Sequence, residues 1–287
     1  MKVFVYGTLR NGEKNARILK HARLLAEQSW TDDGSLYDTG YGYPAFAADK
    51  SGTVYGELYE VNEEELVKLD LLEEYEQGRV NNLYERVTQT IHTDKGSISA
   101  YVYIGRKDLF KRRIPTGDWK EYIMIKEMQT VRYFAYGSCM DLKRINEAGV
   151  GGYFRKIVGV GVLDNYSLKF TRKSPTDNLG RADIVEDGNG AVEGKVYEIP
   201  VSVVEKYLYV REGVPFAYRP TFVSISMNGQ HIVALTFVVK NKDPETPPPI
   251  EYEVEIFRGA EGFLSEDYLQ KVKKQIDVLR NHEPLGI

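Results

Sequence analysis

The chain has 287 residues, of which 42% are hydrophobic and 28% are charged, and its formal net charge is −4. This length allows two globular domains with separate cores, and the interspersed charges leave no basic face for nucleic acid. The single cysteine, Cys139, cannot form an internal disulfide, and the most apolar run, HIVALTFVVK, is far shorter than the roughly 20 residues of a membrane span. We therefore expect a cytoplasmic protein that binds neither nucleic acid nor membranes.

The first predicted element is a β-strand in KVFVYG, which runs into Tyr6, Gly7, Thr8 and Leu9. Glycine can adopt backbone angles closed to other residues and leaves the main chain bare for close approach by a ligand. Such a turn exposes successive N–H groups beside a hydroxyl, which is a nest for a carboxylate or a developing oxyanion. A plain strand-to-turn transition would explain the same letters.

A helix is predicted over 62–76, in VNEEELVKLDLLEEYE. Asn62 can cap its first turn, and Glu65, three residues later, completes a capping box. The other strands of this half are predicted in the β-branched and aromatic runs GTVYGELYEV, LYERVTQTIHT and SISAYVYIG.

The apolar stripe of this helix ends in an acid. It runs through Leu66 and Leu69, and the next position on that face is Glu73. If the face packs inward, burial would raise the pKa of Glu73 and make it a better general base. The alternative is a helix-end glutamate in water, among its neighbours Glu74 and Glu76.

The second half of the sequence repeats the first. The matched pairs are VFVYGTLR at 3–10 with YFAYGSCM at 133–140, GELYEVN at 56–62 with GKVYEIP at 194–200, and LDLLEEY at 69–75 with LYVREGV at 208–214. Their offsets are 130, 138 and 139, and three ordered matches at nearly constant offset indicate a tandem duplication. We place the boundary near Gln129, which gives domains 1–129 and 130–287.

The second copy carries the same candidate groups. The turn residues are Tyr136, Gly137, Ser138 and Cys139. A stripe spaced four residues apart, Val204, Leu208 and Glu212, brings a second carboxylate to the same point of a helix. This recurrence favours a functional carboxylate over an exposed one in both copies.

The remaining elements of the second half give the fold class. Strands are predicted in VRYFAYG, RKIVGVGVLD, YSLKFTR, AVEGKVYEI, TFVSISM and IVALTFVV, and helices around 200–210 and in SEDYLQKVKKQIDVLR, which Ser265 can cap. Each half is α+β with more strand than helix, which favours a curled, barrel-like sheet over a doubly wound parallel one. The four histidines and the cysteine are not at metal-ligand spacing, so we expect neither a metal nor a cofactor.

These motifs resemble the gamma-glutamylcyclotransferase superfamily. The first half is similar to its gamma-glutamylamine cyclotransferase branch in YGTL at 6–9, GELY at 56–59, LDLLE at 69–73 and Tyr103 of AYVYIG. The second half is similar to gamma-glutamylcyclotransferase proper in FAYGSCM, GKVYEI, REGV and PPPIEYEVEIFRGAEGFLSEDYLQKV. The resemblance implies two tandem domains, each a small closed mixed β-barrel with flanking helices.

The resemblance also implies an activity. A gamma-glutamyl amine or peptide would be cleaved by its own alpha-amine, which releases 5-oxoproline and a free amine or amino acid. The two turns and Tyr103 would bind this small-molecule substrate, and Glu73 and Glu212 would be the catalytic bases. The sequence does not identify the leaving amine or the oligomeric state.

The second copy departs from the family pattern at three positions. Cys139 stands where leucine is usual, Tyr209 replaces the acid that Asp70 supplies in the first copy, and Phe237 aligns with Tyr103. Three alternatives therefore stay open: a non-catalytic module that binds an amino-acid-like ligand, a second domain that is regulatory, and hydrolysis that releases free glutamate.

Overall fold

The computed structural model describes residues 1–50 and 52–282, and its contacts divide the chain into two compact units, Met1–Lys126 and a second that begins at Glu127. The repeat boundary between 129 and 130 stays a prediction. The strands of the first unit are β1 Lys2–Val5, β2 Arg23–Thr31, β3 Gly34–Asp38, β4 Pro44–Ala48, β5 Val54–Glu60, β6 Tyr84–Thr93, β7 Gly96–Gly105 and β8 Arg112–Ile114. Its helices are α1 Glu63–Leu72 and α2 Trp119–Glu127.

The second unit repeats the order of the barrel strands, and its first three strands are longer. Its strands are β9 Thr130–Ala135, β10 Ile157–Lys173, β11 Gly180–Pro200, β12 Tyr218–Met227 and β13 Gln230–Val239. Its helices are α3 Leu142–Glu147, α4 Val201–Val203, the π-helical turn Val204–Leu208, α5 Tyr209–Glu212, α6 Ile250–Ala260 and α7 Glu266–His282. Ser265 caps α7 by accepting from the Tyr268 N–H, as predicted.

Each unit is built on a closed barrel of five strands. The order around the first barrel is β1-β5-β2-β6-β7, and around the second it is β10-β11-β9-β13-β12. The first strand of each barrel pairs parallel with the last strand of that barrel, at Val3 with Tyr101 and at Tyr133 with Leu235, and the other pairs in the barrels are antiparallel. The α+β fold of two small mixed barrels with flanking helices is therefore confirmed.

The first unit also contains a three-stranded sheet, ordered β4-β3-β8, which the sequence did not predict. The sequence did not predict β2 either, because its letters RLLAEQSWT include several good helix formers. Pairing with β5 on one side and β6 on the other overrides that local preference.

Strand β1 is apolar from Val3 to Val5 because both of its faces are buried there. Val3 and Val5 pack into one hydrophobic cluster, and Phe4 and Tyr6 pack into another. Side chains alternate between the faces of a strand, so burial on both faces removes any polar alternation. This packing fixes the position of the turn that follows.

Helix α1 begins at the predicted capping box, in which Asn62 and Glu65 satisfy each other's backbone N–H groups. It ends at Leu72, earlier than the predicted residue 76, because Glu74 adopts a left-handed φ of 51°. Gly213 adopts a φ of 63° at the matching point of the second unit. Each helix therefore stops beside its candidate glutamate.

The π-helical turn explains a change in the repeat offset. The offset grows from 138 to 139 between the GKVYEIP and LYVREGV matches, so the second copy has one extra residue in this region. The turn over Val204–Leu208 absorbs it, because a π turn contains one more residue than an α turn. Glu212 then follows buried Leu208 by four residues, as Glu73 follows buried Leu69.

Among residues 1–50 and 52–282, no helix is long and apolar enough to cross a membrane.

Candidate functional site

A cavity of about 170 Å³ lies beside the turn that follows β1. Every candidate residue of the first half lines it: Tyr6, Gly7, Thr8, Leu9, Glu73 and Tyr103. The cavity lining also includes residues that the sequence did not mark as site residues: Lys14, Asn15, Tyr43, Pro44, Leu72 and Leu83. The fold brings them to the cavity, and of these only Leu72, in LDLLE, lies in a family motif named above.

The turn itself leaves backbone donors unused. The Arg10 N–H donates to the Gly7 carbonyl at 3.1 Å, which makes Thr8 and Leu9 the two central residues. Within the described part of the chain, neither of their N–H groups has an intramolecular acceptor. The Thr8 carbonyl and hydroxyl accept from Asn15, at 2.9 and 3.0 Å, which fixes the turn. The two free N–H groups can bind a carboxylate or a developing oxyanion.

Tyr6 holds this turn against the last strand of the barrel. Its hydroxyl donates to the Tyr103 carbonyl at 2.7 Å, and Tyr136 donates to the Phe237 carbonyl at 2.5 Å in the second unit. Burial raises the pKa of both tyrosines well above the usual value, so both hydroxyls stay protonated donors. The repeated tyrosine therefore serves barrel closure, and its ring lines the cavity.

One expected reason for glycine in the turn, backbone angles closed to other residues, is wrong. Gly7 is not among the positive-φ glycines, and Gly137 has a φ of −124°. Glycine is needed because a Cβ atom at position 7 would lie 2.5 Å from Pro44 Cγ. Glycine is therefore required by the close approach of β4 and not by backbone strain.

Arg10, directly after the turn, is anchored in a buried cluster of charges. It is 2% exposed, and its guanidinium donates to Glu57 at 3.3 Å and to Asp118 at 2.8 Å. Lys120 Nζ also donates to Glu57, at 3.1 Å, and the Asn11 N–H donates to the other Glu57 oxygen at 2.7 Å. The cluster holds the chain directly after the turn in one position.

Glu73 is the chemically distinctive group of this cavity. Among residues 1–50 and 52–282, none donates a hydrogen bond to its carboxylate or forms an ion pair with it. Burial raises its pKa from 4.5 to about 8, because nothing nearby replaces the water that a carboxylate anion loses. Such a carboxylate is a proton acceptor poised near neutral pH.

The tyrosine rings around Glu73 define the rest of its environment. The pKa of Tyr84 is raised, first by burial and then by the negative charge of Glu73, and its hydroxyl donates to the Pro44 carbonyl at 2.9 Å. Tyr103 donates to Asp70 at 2.7 Å, and Asp70 in turn accepts from Arg86 at 2.5 Å. Arg86 therefore pairs with Asp70 and does not line the cavity, whereas Tyr84 does.

The matching cavity of the second unit is much smaller, at about 40 Å³. All of its candidate residues again come together there: Tyr136, Gly137, Ser138, Cys139 and Glu212. Its walls also include Tyr252 of α6, whose hydroxyl accepts from the Ala182 N–H at 3.2 Å. A volume of 40 Å³ is close to that of one or two water molecules.

Glu212, unlike Glu73, has partners. Cys139 Sγ donates to its carboxylate at 3.2 Å, and Arg211 Nε lies 3.6 Å from the same oxygen. Burial raises the pKa of Glu212, and the arginine charge opposes that rise. Burial is also the main cause that raises the pKa of Cys139 to about 11, which keeps it a thiol.

Two departures in the second copy form one coupled exchange. Where Asp70 meets the Tyr103 hydroxyl in the first unit, Tyr209 contacts Phe237 edge to face, with ring centroids 6.1 Å apart. A hydrogen-bonded pair has become an aromatic pair, which preserves the contact between helix and strand through ring packing.

Within the part of the chain that the structure describes, no group of three or more histidine, cysteine or acidic side chains could hold a metal ion. The cavity of the first unit offers a carboxylate, backbone donors and aromatic walls.

Comparison with known proteins gives two family matches. Residues 3–121 match the family described as gamma-glutamyl cyclotransferase, AIG2-like, and residues 191–272 match the AIG2-like family. The chain is 42% identical over 283 residues to "Putative gamma-glutamylcyclotransferase YkqA" of Bacillus subtilis, covering 96% of this chain and 98% of that protein. The crystal structure of YkqA superposes with a TM-score of 0.86 at 41% identity, covering 97% and 98% of the two chains.

A second relative has a named substrate. The chain is 41% identical over 122 residues to the gamma-L-glutamyl-butirosin B gamma-glutamyl cyclotransferase of Niallia circulans, covering 42% of this chain and 76% of that protein.

Proposed function

This chain belongs to the AIG2-like gamma-glutamylcyclotransferase family, and on that basis we propose that its first domain cleaves gamma-glutamyl amines or peptides to 5-oxoproline and a free amine or amino acid. The observation that carries the proposal is the unpaired carboxylate of Glu73, which lines one cavity with the free N–H groups of Thr8 and Leu9.

The reaction begins with proton transfer to Glu73. The substrate's alpha-amine loses a proton to this carboxylate and attacks the gamma-carbonyl carbon of the same residue. A new C–N bond closes the five-membered ring, the C–N bond to the leaving amine breaks, and that amine takes up the proton. Because nucleophile and electrophile belong to one molecule, positioning and one base are sufficient.

The turn supplies the positioning. The N–H groups of Thr8 and Leu9 bind the gamma-glutamyl group, and Tyr103 with the other aromatic walls encloses its methylene groups. Backbone donors held by a rigid turn stabilise negative charge without reorganising during the reaction. The Niallia circulans relative, by its name, acts on a gamma-glutamyl compound, which supports this substrate class.

The test is a panel of gamma-glutamyl amines and peptides, with 5-oxoproline and glutamate separated by chromatography and mass spectrometry. We expect 5-oxoproline from at least one substrate and a loss of 100-fold or more in kcat for Glu73→Gln. Glu76→Gln, which alters an exposed acid three residues away, is the matched control and is expected to keep the wild-type rate.

Three results would overturn the proposal. Free glutamate in place of 5-oxoproline would indicate hydrolysis, and thermal stabilisation by the ligands without turnover would indicate a binding module. Wild-type release by a Glu73→Gln, Glu212→Gln double variant would show that neither carboxylate is the base.

A further inference from the structure

The glutamate of the second site has a cation beside it where the first site has a leucine. Arg211 aligns with Leu72, and its side chain is only 14% exposed. Its guanidinium donates to Ser138 Oγ and to Cys139 Sγ, both at 3.0 Å, and to the Tyr207 hydroxyl at 3.3 Å. It therefore uses side-chain groups of the very turn that would receive a ligand.

The two sites consequently differ in the charge next to the glutamate. Glu73 has no neighbouring cation within hydrogen-bond distance among the described residues, so a ligand's ammonium group can pair with it. Glu212 already has Arg211 Nε at 3.6 Å. A second cation brought to Glu212 would meet a like charge at close range in a partly desolvated site, which is costly.

The volume of the second site also restricts which ligands can enter. The cavity is about 40 Å³ against about 170 Å³ in the first unit, Tyr252 lines it, and Arg211 donates to Ser138 of its wall. A gamma-glutamyl group has eight or more heavy atoms and cannot enter a space that holds one or two water molecules.

We propose that Arg211 is a specificity-determining residue that occupies, in the second site, the place of a ligand's alpha-ammonium group, and so excludes gamma-glutamyl amines from that site. The site of the second domain is then closed by a side chain of that domain, and the first domain carries out the turnover of the full chain. This inference rests on the proposed function for the identity of the ligand, and its main test is binding without turnover.

The binding test uses an unreactive gamma-glutamyl analogue in which a sulfone replaces the scissile carbonyl, titrated by calorimetry into the full-length chain. Wild type is expected to bind one equivalent, and Arg211→Leu, which installs the first-copy residue, is expected to bind one more. Lys206→Leu removes an exposed cation of the same helical segment and is expected to gain nothing. Arg211→Ala, which also removes volume, is the second variant if the leucine variant does not fold by circular dichroism.

The turnover test uses a background in which the first site is silenced. Glu73→Gln alone is expected to release no more than 1% of the wild-type 5-oxoproline. Addition of Arg211→Leu is expected to raise this residual activity at least tenfold. Two equivalents bound by wild type, or no gain of an equivalent in a folded Arg211 variant, would overturn the inference. Absence of 5-oxoproline from wild type would instead refute the proposed function, while the count of bound analogues would still decide the role of Arg211.

Discussion

Glu73→Gln is expected to stabilise the first unit increasingly as the pH rises, although it removes the proposed base. Burial raises the pKa of Glu73 from 4.5 to about 8, so the folded chain holds this proton more tightly than the unfolded chain does. The corresponding stability is fully present below about pH 4.5 and is lost as the pH rises to about 8. Glutamine does not titrate and loses nothing over this window.

The size of the effect follows from the width of the window. Each pH unit between the two pKa values lowers the wild-type free energy of unfolding by at most about 1.4 kcal/mol relative to the variant. The carboxylate borders a cavity that water can enter, so we expect about half of that, roughly 0.7 kcal/mol per pH unit. Between pH 6 and pH 8 the variant should therefore gain about 1.4 kcal/mol on wild type.

The assay can be restricted to the first unit. Both tryptophans of the chain, Trp30 and Trp119, lie within Met1–Lys126, and Trp119 is 2% exposed. Urea denaturation followed by tryptophan fluorescence therefore reports this unit, and Glu76→Gln controls for the loss of a surface charge. A stability difference that is the same at pH 6 and pH 8, or a glutamine variant that is less stable at pH 8, would refute the reasoning.

Three further predictions concern the same unit. Leu72→Arg is expected to lower kcat/KM at least tenfold, because a guanidinium beside Glu73 would take the place of the substrate's amine. Leu71→Arg, at an 80% exposed position, is the control, and equal rates in the two variants would contradict the prediction. The wild-type kcat/KM is expected to fall about tenfold per pH unit below about pH 8, since only ionised Glu73 accepts a proton, and a flat profile from pH 6 to 8 would argue against a general base. Arg10→Met, which installs the second-copy residue, is expected to destabilise the unit by about 3–5 kcal/mol in the fluorescence assay, because it removes a partner of buried Glu57. A loss of stability below about 1 kcal/mol would show that the remaining contacts neutralise the charge of Glu57.

The sequence predicted the features that are local or repeated. The capping box at Asn62 depends on two residues three positions apart, and the strands of β-branched and aromatic letters depend on short runs, so both were confirmed. The repeat also placed Glu73 and Glu212 at equivalent helix ends. The π-helical turn that precedes Glu212 was not predicted, although the change of the repeat offset from 138 to 139 contained the signal for it.

What could not be predicted depends on contacts between distant segments. Pro44 reaches the turn after β1 only because β3 and β4 form a sheet of their own, and no letter near Gly7 reveals that neighbour. Likewise, Arg211 in LYVREGV looks like an exposed helical arginine until the fold brings the turn at Ser138 and Cys139 beside it. Alignment with Leu72 would have marked the exchange of an apolar residue for a charged one.

The parallel closure of each barrel has a consequence for the order of folding. Val3 pairs with Tyr101, and Tyr133 with Leu235, so the closing contacts join residues 98 and 102 positions apart. Contacts of such long sequence separation slow folding, because the chain between them must be ordered first. On the ribosome, neither barrel can close until its last strand has emerged, and β1 must wait with an exposed edge through most of the synthesis of its repeat. The first unit should nevertheless be complete before β13 is made, so that the two copies close one after the other.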